Sequence, residues 1–219
     1  MSFQKNKYTV IKNVIPKVLG NFCATYLEMK AYNLNVLRAE KYITKFNEDY
    51  GSYGDSQVPD TFSIYGDQAM ETLFHFVKPK MEKITKLKLH ETYAYARLYK
   101  KGDVLKRHKD RMSCEISTTL FLAGDSWPIY VDPKGAGNTS GSQYTPLNNK
   151  GVKVDLNPGD MLIYKGCDLE HWRESFKGNI CAQVFLHFND AKNPKVIKNK
   201  YDTRPMLGLP SYFRGKGKQ

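Results

Sequence analysis

From residue 88 onward the chain is a succession of short β-type segments with no helical pattern between them. LHETYAYARLY, SCEISTTLFLAG, WPIYVDP, GVKVDLNPGDMLIYKG and ICAQVFLHF are rich in Tyr, Val, Ile, Thr and Phe, with turn signals between them. VKVDL alternates with period two, and NPGD at 157–160 is a turn. Helical patterns are confined to the first 87 residues. Helices first, then strands without intervening helices, predict an α+β, mainly β protein: an antiparallel sandwich or jelly roll buttressed by N-terminal helices.

The opening segment YTVIKNVI, 8–15, reads as a strand. Residues 16–33 carry a helical pattern through Val18, Leu19, Phe22, Tyr26 and Met29, with Pro16 suited to the first turn. Residues 47–66 are loop-like. A second helix starts at Asp67 as N-cap, with Glu71 in its first turn, and Pro79 is expected to break or kink it. Residues 132–151 form a long Gly/Ser/Asn loop placed to lie over a site. The sequence divides as one domain: 1–87 the N-terminal strand and supporting helices, 88–190 the β core, and 191–219 an extended or disordered tail.

No run of about 18 apolar residues exists, so no membrane span is expected. The N-terminus lacks the apolar stretch of a secretory signal. The four cysteines form no CxxC pair, as in a reduced, intracellular chain, so the expected location is cytoplasmic. The net charge of +12 would attract anionic partners. The lysines are spread along the whole chain, however, which suits a solvated surface better than a nucleic-acid stripe.

LKRHKDRMSCEIS places His108 and Asp110 two residues apart. On an extended strand they point to one side, as a salt bridge or as two thirds of a metal site. A 2-His-1-carboxylate triad needs a second histidine, and leaves open positions on Fe(II) for a cosubstrate and O2. Of the five histidines, His75 falls in a helical stretch and His90 precedes the pair. His171 follows a strand and a short turn. His187 lies mid-strand among apolar residues, where a core histidine is the usual case.

At these residues the sequence resembles the Fe(II)- and 2-oxoglutarate-dependent dioxygenases, in particular the prolyl 4-hydroxylase-like branch. ARLYKKGDVLKRHKD, LNPGDMLIYKGCDLEHW and AQVFLHF carry the resemblance, which covers about residues 88 to 190. It implies a double-stranded β-helix with Fe(II) on His108, Asp110 and His171, which would also be the catalytic residues. It further implies turnover of 2-oxoglutarate and O2 to succinate and CO2 with hydroxylation of the substrate. Peptidyl proline is the default substrate class by resemblance, and a small molecule is the alternative. Tyr99 matches the family tyrosine that hydrogen-bonds the cosubstrate.

The family places a basic residue nine or ten positions after the second histidine. Asn179, Ile180 and Cys181 stand there in this chain. A buried carboxylate needs a cationic partner, and Arg173 is the first candidate because its fork matches a carboxylate bidentately. Arg97, Lys165 and Lys177 are alternatives. Strand alternation turns Thr119 and Gln183 toward the same cavity. Arg97, Arg111 and Trp127 are expected on the substrate side, with Glu115 positioning Arg111 or Arg173. The reading from a different class is a non-catalytic, basic, β-rich nucleic-acid-binding module. The oligomeric state is not legible in the sequence.

Overall fold

A computed structural model describes residues 3–134 and 149–216. The centre of the 132–151 loop lies outside the described residues. The elements in chain order are α1 (Phe3–Asn6), β1 (Tyr8–Ile11), α2 (Lys17–Ala39), β2 (Phe62–Tyr65), α3 (Gln68–Thr85), β3 (Leu89–Lys100), β4 (Leu105–His108), β5 (Ser117–Gly124), β6 (Ile129–Asp132), β7 (Val152–Val154), β8 (Met161–Tyr164), β9 (Glu170–Arg173) and β10 (Ile180–Asp190). Every strand pair is antiparallel. A six-stranded sheet has the order β1-β8-β5-β10-β3-β2, and a four-stranded sheet the order β4-β9-β6-β7.

The six-stranded sheet is buried on both faces, and alternation along its strands sorts the side chains. Leu120, Leu122, Met161, Ile163, Val184 and Leu186 join the core beneath α2 and α3. Their neighbours Phe121, Leu162, Tyr164 and Phe185 join a second core, with Ile129, Val131 and Val154 of the smaller sheet. The second core therefore lies between the sheets.

Asp67 caps α3 as expected, its side chain accepting from the amides of Ala69 and Met70. Pro79 does not end the helix, which runs on to Thr85. Val77 and Met81 on either side of it are fully buried, and that packing outweighs the one hydrogen bond proline removes. The helix predicted at 16–33 continues to Ala39, and Phe62–Tyr65, predicted as loop, is the edge strand β2. α2 turns its small residues to the sheet. A Cβ on Gly20 would lie 2.6 Å from the carbonyl oxygen of Leu122, so glycine sets how closely the helix approaches β5.

Beyond β10 the described chain is an ordered wrap. Arg204 reaches Glu71 at 2.7 Å and the Thr92 carbonyl at 3.0 Å. The Asp202 carboxylate accepts both arms of Arg111 at 2.7 Å and the Tyr65 hydroxyl at 2.7 Å. Burial alone would raise the Asp202 pKa. The Arg111 hydrogen bonds overcome it and hold the group down at about 2, against an ordinary 3.8. A depressed carboxylate stabilises the fold above its unfolded pKa and loses that contribution as pH falls through the folded one. Asp202→Asn is therefore expected to cost about 2 kcal/mol at neutral pH. Urea titrations at neutral pH and near pH 2 check this. The deficit should close at the lower pH, and one of equal size at both would assign it to packing.

Candidate active site

The smaller sheet brings the two strand-borne histidines of the candidate metal site together. β4 and β9 pair so that His108 stands directly opposite His171. Asp110 follows just beyond the end of β4, where its amide donates to the Gly166 carbonyl at 2.9 Å. Asp110 Oδ1 lies 3.7 Å from His108 Nε2 and 3.4 Å from His171 Nε2. The other ring nitrogens are engaged: Nδ1–H of His108 donates to the Lys106 carbonyl at 2.7 Å, and that of His171 to the Leu169 carbonyl at 3.1 Å. Carbonyls can only accept, so each Nδ1 carries a hydrogen and each Nε2 is turned to the carboxylate.

The electrostatics keep these groups ready to ligate. Burial, with the neighbouring His171, lowers the His108 pKa to about 4, so its imidazole is neutral at pH 7. Burial opposes ionisation of Asp110 most strongly, but the histidines around it, His171 first and then His108 and His187, together outweigh it and hold the carboxyl well below the usual range. Two imidazoles and one carboxylate converging within 4.8 Å form a donor set that fits a divalent iron. Ser117 steadies the carboxylate, its hydroxyl donating to Asp110 Oδ2 at 2.6 Å.

His187 is buried, as a core histidine is, but it also faces this site. Its Nδ1 lies 3.0 Å from Ser117 Oγ and its ring 4.6 Å from that of Tyr93. Asp110, Cys114 and His187 are a second set of ligand-type groups. The Cys114 thiol is engaged with the Tyr93 hydroxyl at 3.1 Å, and burial pushes its pKa well up.

A cavity of about 390 Å³ opens on the three metal-type residues. One wall is the alternating face of β3, where Tyr93, Tyr95 and Arg97 point inward. Arg97 is buried and donates to Asp55 at 2.6 Å and Gln57 at 2.9 Å, both from the 47–61 segment. Arg111 also lines the cavity, 4.6 Å above the Tyr93 ring, and is tied to Asp202.

Trp127 does not stand at the entrance. It is 6% exposed, its indole N–H donates to the Glu174 carbonyl, and its ring packs on Tyr99 and Phe176. A large apolar ring is favoured there, in the second core. Glu115 does not reach Arg111 or Arg173. It accepts from the Asp190 amide and the Asn193 side chain. Arg107 of the basic run meets Glu170 and Asp132 and lies 4.2 Å over the Trp172 ring, so it does not extend as a free charge.

Arg173, two after His171 on β9, lies deeper. It donates to the Trp127 carbonyl and, at 3.1 Å, to Thr119 Oγ1. Thr119 donates to Gln183 at 2.9 Å, and Tyr99 is fully buried nearby. Thr119, Gln183, Tyr99 and Arg173 thus form one cluster behind the cavity wall. Among the described residues no carboxylate pairs with Arg173, and its Nε has no partner. Burial pushes its pKa down. An unpaired buried guanidinium is costly.

Sequence reasoning missed Asp55, Gln57, Tyr93, Tyr95, Cys114 and Tyr164 as cavity residues. The odd-numbered face of TYAYARLY, shared by Tyr93, Tyr95, Arg97 and Tyr99, was the available signal. Nothing local marks Asp55 or Gln57.

No protein-family model matches the sequence, and no curated protein matches it. Solved structures do. A prolyl-4-hydroxylase from Pseudomonas putida aligns over 85% of this chain and 94% of its own, with TM-score 0.55 and 14% identity. HygX from Streptomyces hygroscopicus, with nickel and 2-oxoglutarate bound, aligns over 87% of this chain and 85% of its own, with TM-score 0.57 and 13% identity. The viral collagen prolyl hydroxylase of Paramecium Bursaria Chlorella virus-1, in its 2-oxoglutarate complex, aligns over 84% of this chain and 97% of its own, with TM-score 0.54 and 8% identity. The chain has the fold of the 2-oxoglutarate-dependent oxygenases. The resemblance noted in the sequence thus holds at the level of fold.

Proposed function

We propose that the chain is an Fe(II)- and 2-oxoglutarate-dependent oxygenase. The observation that carries this is the convergence of His108, Asp110 and His171, with both Nδ1 atoms tied to carbonyls and both Nε2 atoms turned to one carboxylate. The two sheets are then the halves of a double-stranded β-helix, residues 88–190 the catalytic unit, and 1–87 its support. The cofactor is Fe(II), with 2-oxoglutarate and O2 as cosubstrates. Bound iron would supply the oxidation of 2-oxoglutarate by O2 to succinate and CO2, coupled to hydroxylation of a C–H bond.

The residues of the chain do the rest. Asp110, His108 and His171 hold the metal on one side and leave the cavity side open. Ser117 fixes the Asp110 oxygen that faces away from the histidines. Arg173, with Tyr99, Thr119 and Gln183, binds the far carboxylate of 2-oxoglutarate once its guanidinium swings off the Trp127 carbonyl. Arg97, Arg111 and the Tyr93–Tyr95 face orient the substrate, and Asp55 and Gln57 close over it. A peptidyl proline or similar side chain is the substrate class this reading favours, from the prolyl hydroxylases among the fold's neighbours. The test is anaerobic addition of Fe(II) and then 2-oxoglutarate to the protein. A weak visible charge-transfer band of the chelated 2-oxo acid is expected, and its absence at every concentration overturns the assignment.

A further inference from the structure

α2 has two apolar faces, and only one is used. Gly20, Cys23, Ala24, Leu27 and Leu34 are buried. On the opposite side Val18, Phe22, Met29, Tyr32 and Val36 are 76, 63, 61, 69 and 40% exposed. Val18, Phe22 and Met29 belong to the pattern that predicted the helix, and the structure turns them outward, while Leu19 and Tyr26 of the same pattern pack against the core. Thr25, also exposed, completes the series. The steps from Val18 through Phe22, Thr25, Met29 and Tyr32 to Val36 alternate between four and three residues. That is a period of 3.5, the narrow seam of a coiled-coil pair. The exposed polar residues Asn21, Glu28 and Asn35 rim one side, as at an interface.

We propose that this seam is a self-association surface on which a second copy of the chain lays its own α2 antiparallel. The occupant is a second copy because the seam is self-complementary. A two-fold axis at the level of Leu27 sets Val18 against Val36, Phe22 against Tyr32 and Thr25 against Met29 of the second copy. Each position of one heptad class then meets the other class, as antiparallel pairing requires. Antiparallel packing also sets the positive end of each helix dipole beside the negative end of the other. With aromatic side chains presenting about 150–250 Å² each, the exposed fractions amount to roughly 500–600 Å² per copy. Two copies bury about 1,100 Å², the lower end of the range for specific interfaces. The dimer is therefore reversible, with dissociation in the micromolar range. Glu28 faces its own counterpart across the axis and is the one like-charge pair.

Sedimentation equilibrium over a concentration series tests this. The wild type should pass from monomer to dimer across the micromolar range. Phe22→Glu and Met29→Glu should remain monomeric with unchanged circular dichroism, and Glu28→Gln should dimerise severalfold more tightly. A wild type that is monomeric throughout, or a dimer that survives Phe22→Glu, overturns the proposal. Orientation is read by mild oxidation of cysteine variants. Val18→Cys with Val36→Cys in one chain should crosslink, and either alone should not, because in this register like positions lie about 27 Å apart. Crosslinking by Val18→Cys alone overturns the antiparallel register.

Discussion

Asp110→Ala is expected to reduce iron-dependent 2-oxoglutarate consumption to background and to abolish the charge-transfer band while the protein stays folded. Among the described residues the carboxylate is the anionic donor beside the two imidazoles, and both Nε2 atoms converge on it. Removing it leaves a neutral two-nitrogen site, which binds a hard divalent iron poorly. Fold and site respond differently. The Asp110 amide, bonded to Gly166, is untouched by the substitution, and because the depressed carboxylate stabilises the fold at neutral pH, the metal-free variant should melt somewhat lower but still cooperatively. Loss of the band with a retained cooperative melt is the expected pair of results. Retained consumption would remove Asp110 from the metal site.

Arg173→Ala is expected to weaken 2-oxoglutarate binding by about two to three orders of magnitude, corresponding to the 2–5 kcal/mol cost of truncating one partner of a buried charge pair. Iron binding should be unaffected, because Arg173 points away from the ligands toward Thr119 and Trp127. Titrating the band with 2-oxoglutarate separates these quantities. Arg173→Lys should recover part of the affinity, since it keeps the charge and loses the bidentate fork. An Ala variant that binds 2-oxoglutarate normally would make Arg173 a structural residue and leave the far carboxylate to another cation.

The legible part of the fold was the part where burial imposes a period. β3, β5 and β10 bury one or both faces, so their Tyr, Val, Phe and Thr runs stand out. β4 and β9 did not read as strands. LKRH and EHWR are short and polar, and they become strands through their neighbours, β4 beside β9 and β9 between β4 and β6. The three candidate ligands were nevertheless singled out, because His-x-Asp and a later histidine constrain each other through chemistry, and the structure brings them together. Arg173 was singled out from its place two beyond His171. Asp55 and Gln57 were illegible because they reach the cavity by a contact some forty residues away in sequence. In α2 the periodicity identified a helix without saying which face would be buried, since an apolar stripe carries no label for what will cover it. Glycine, cysteine and alanine won the sheet because small side chains permit the closest approach.

The bond between Arg111 and Asp202 joins positions 91 residues apart in sequence, so the cavity wall is finished by the C-terminal wrap and not by the sheets alone. A chain ended before Asp202 would keep all ten strands yet leave Arg111 without that partner at the cavity.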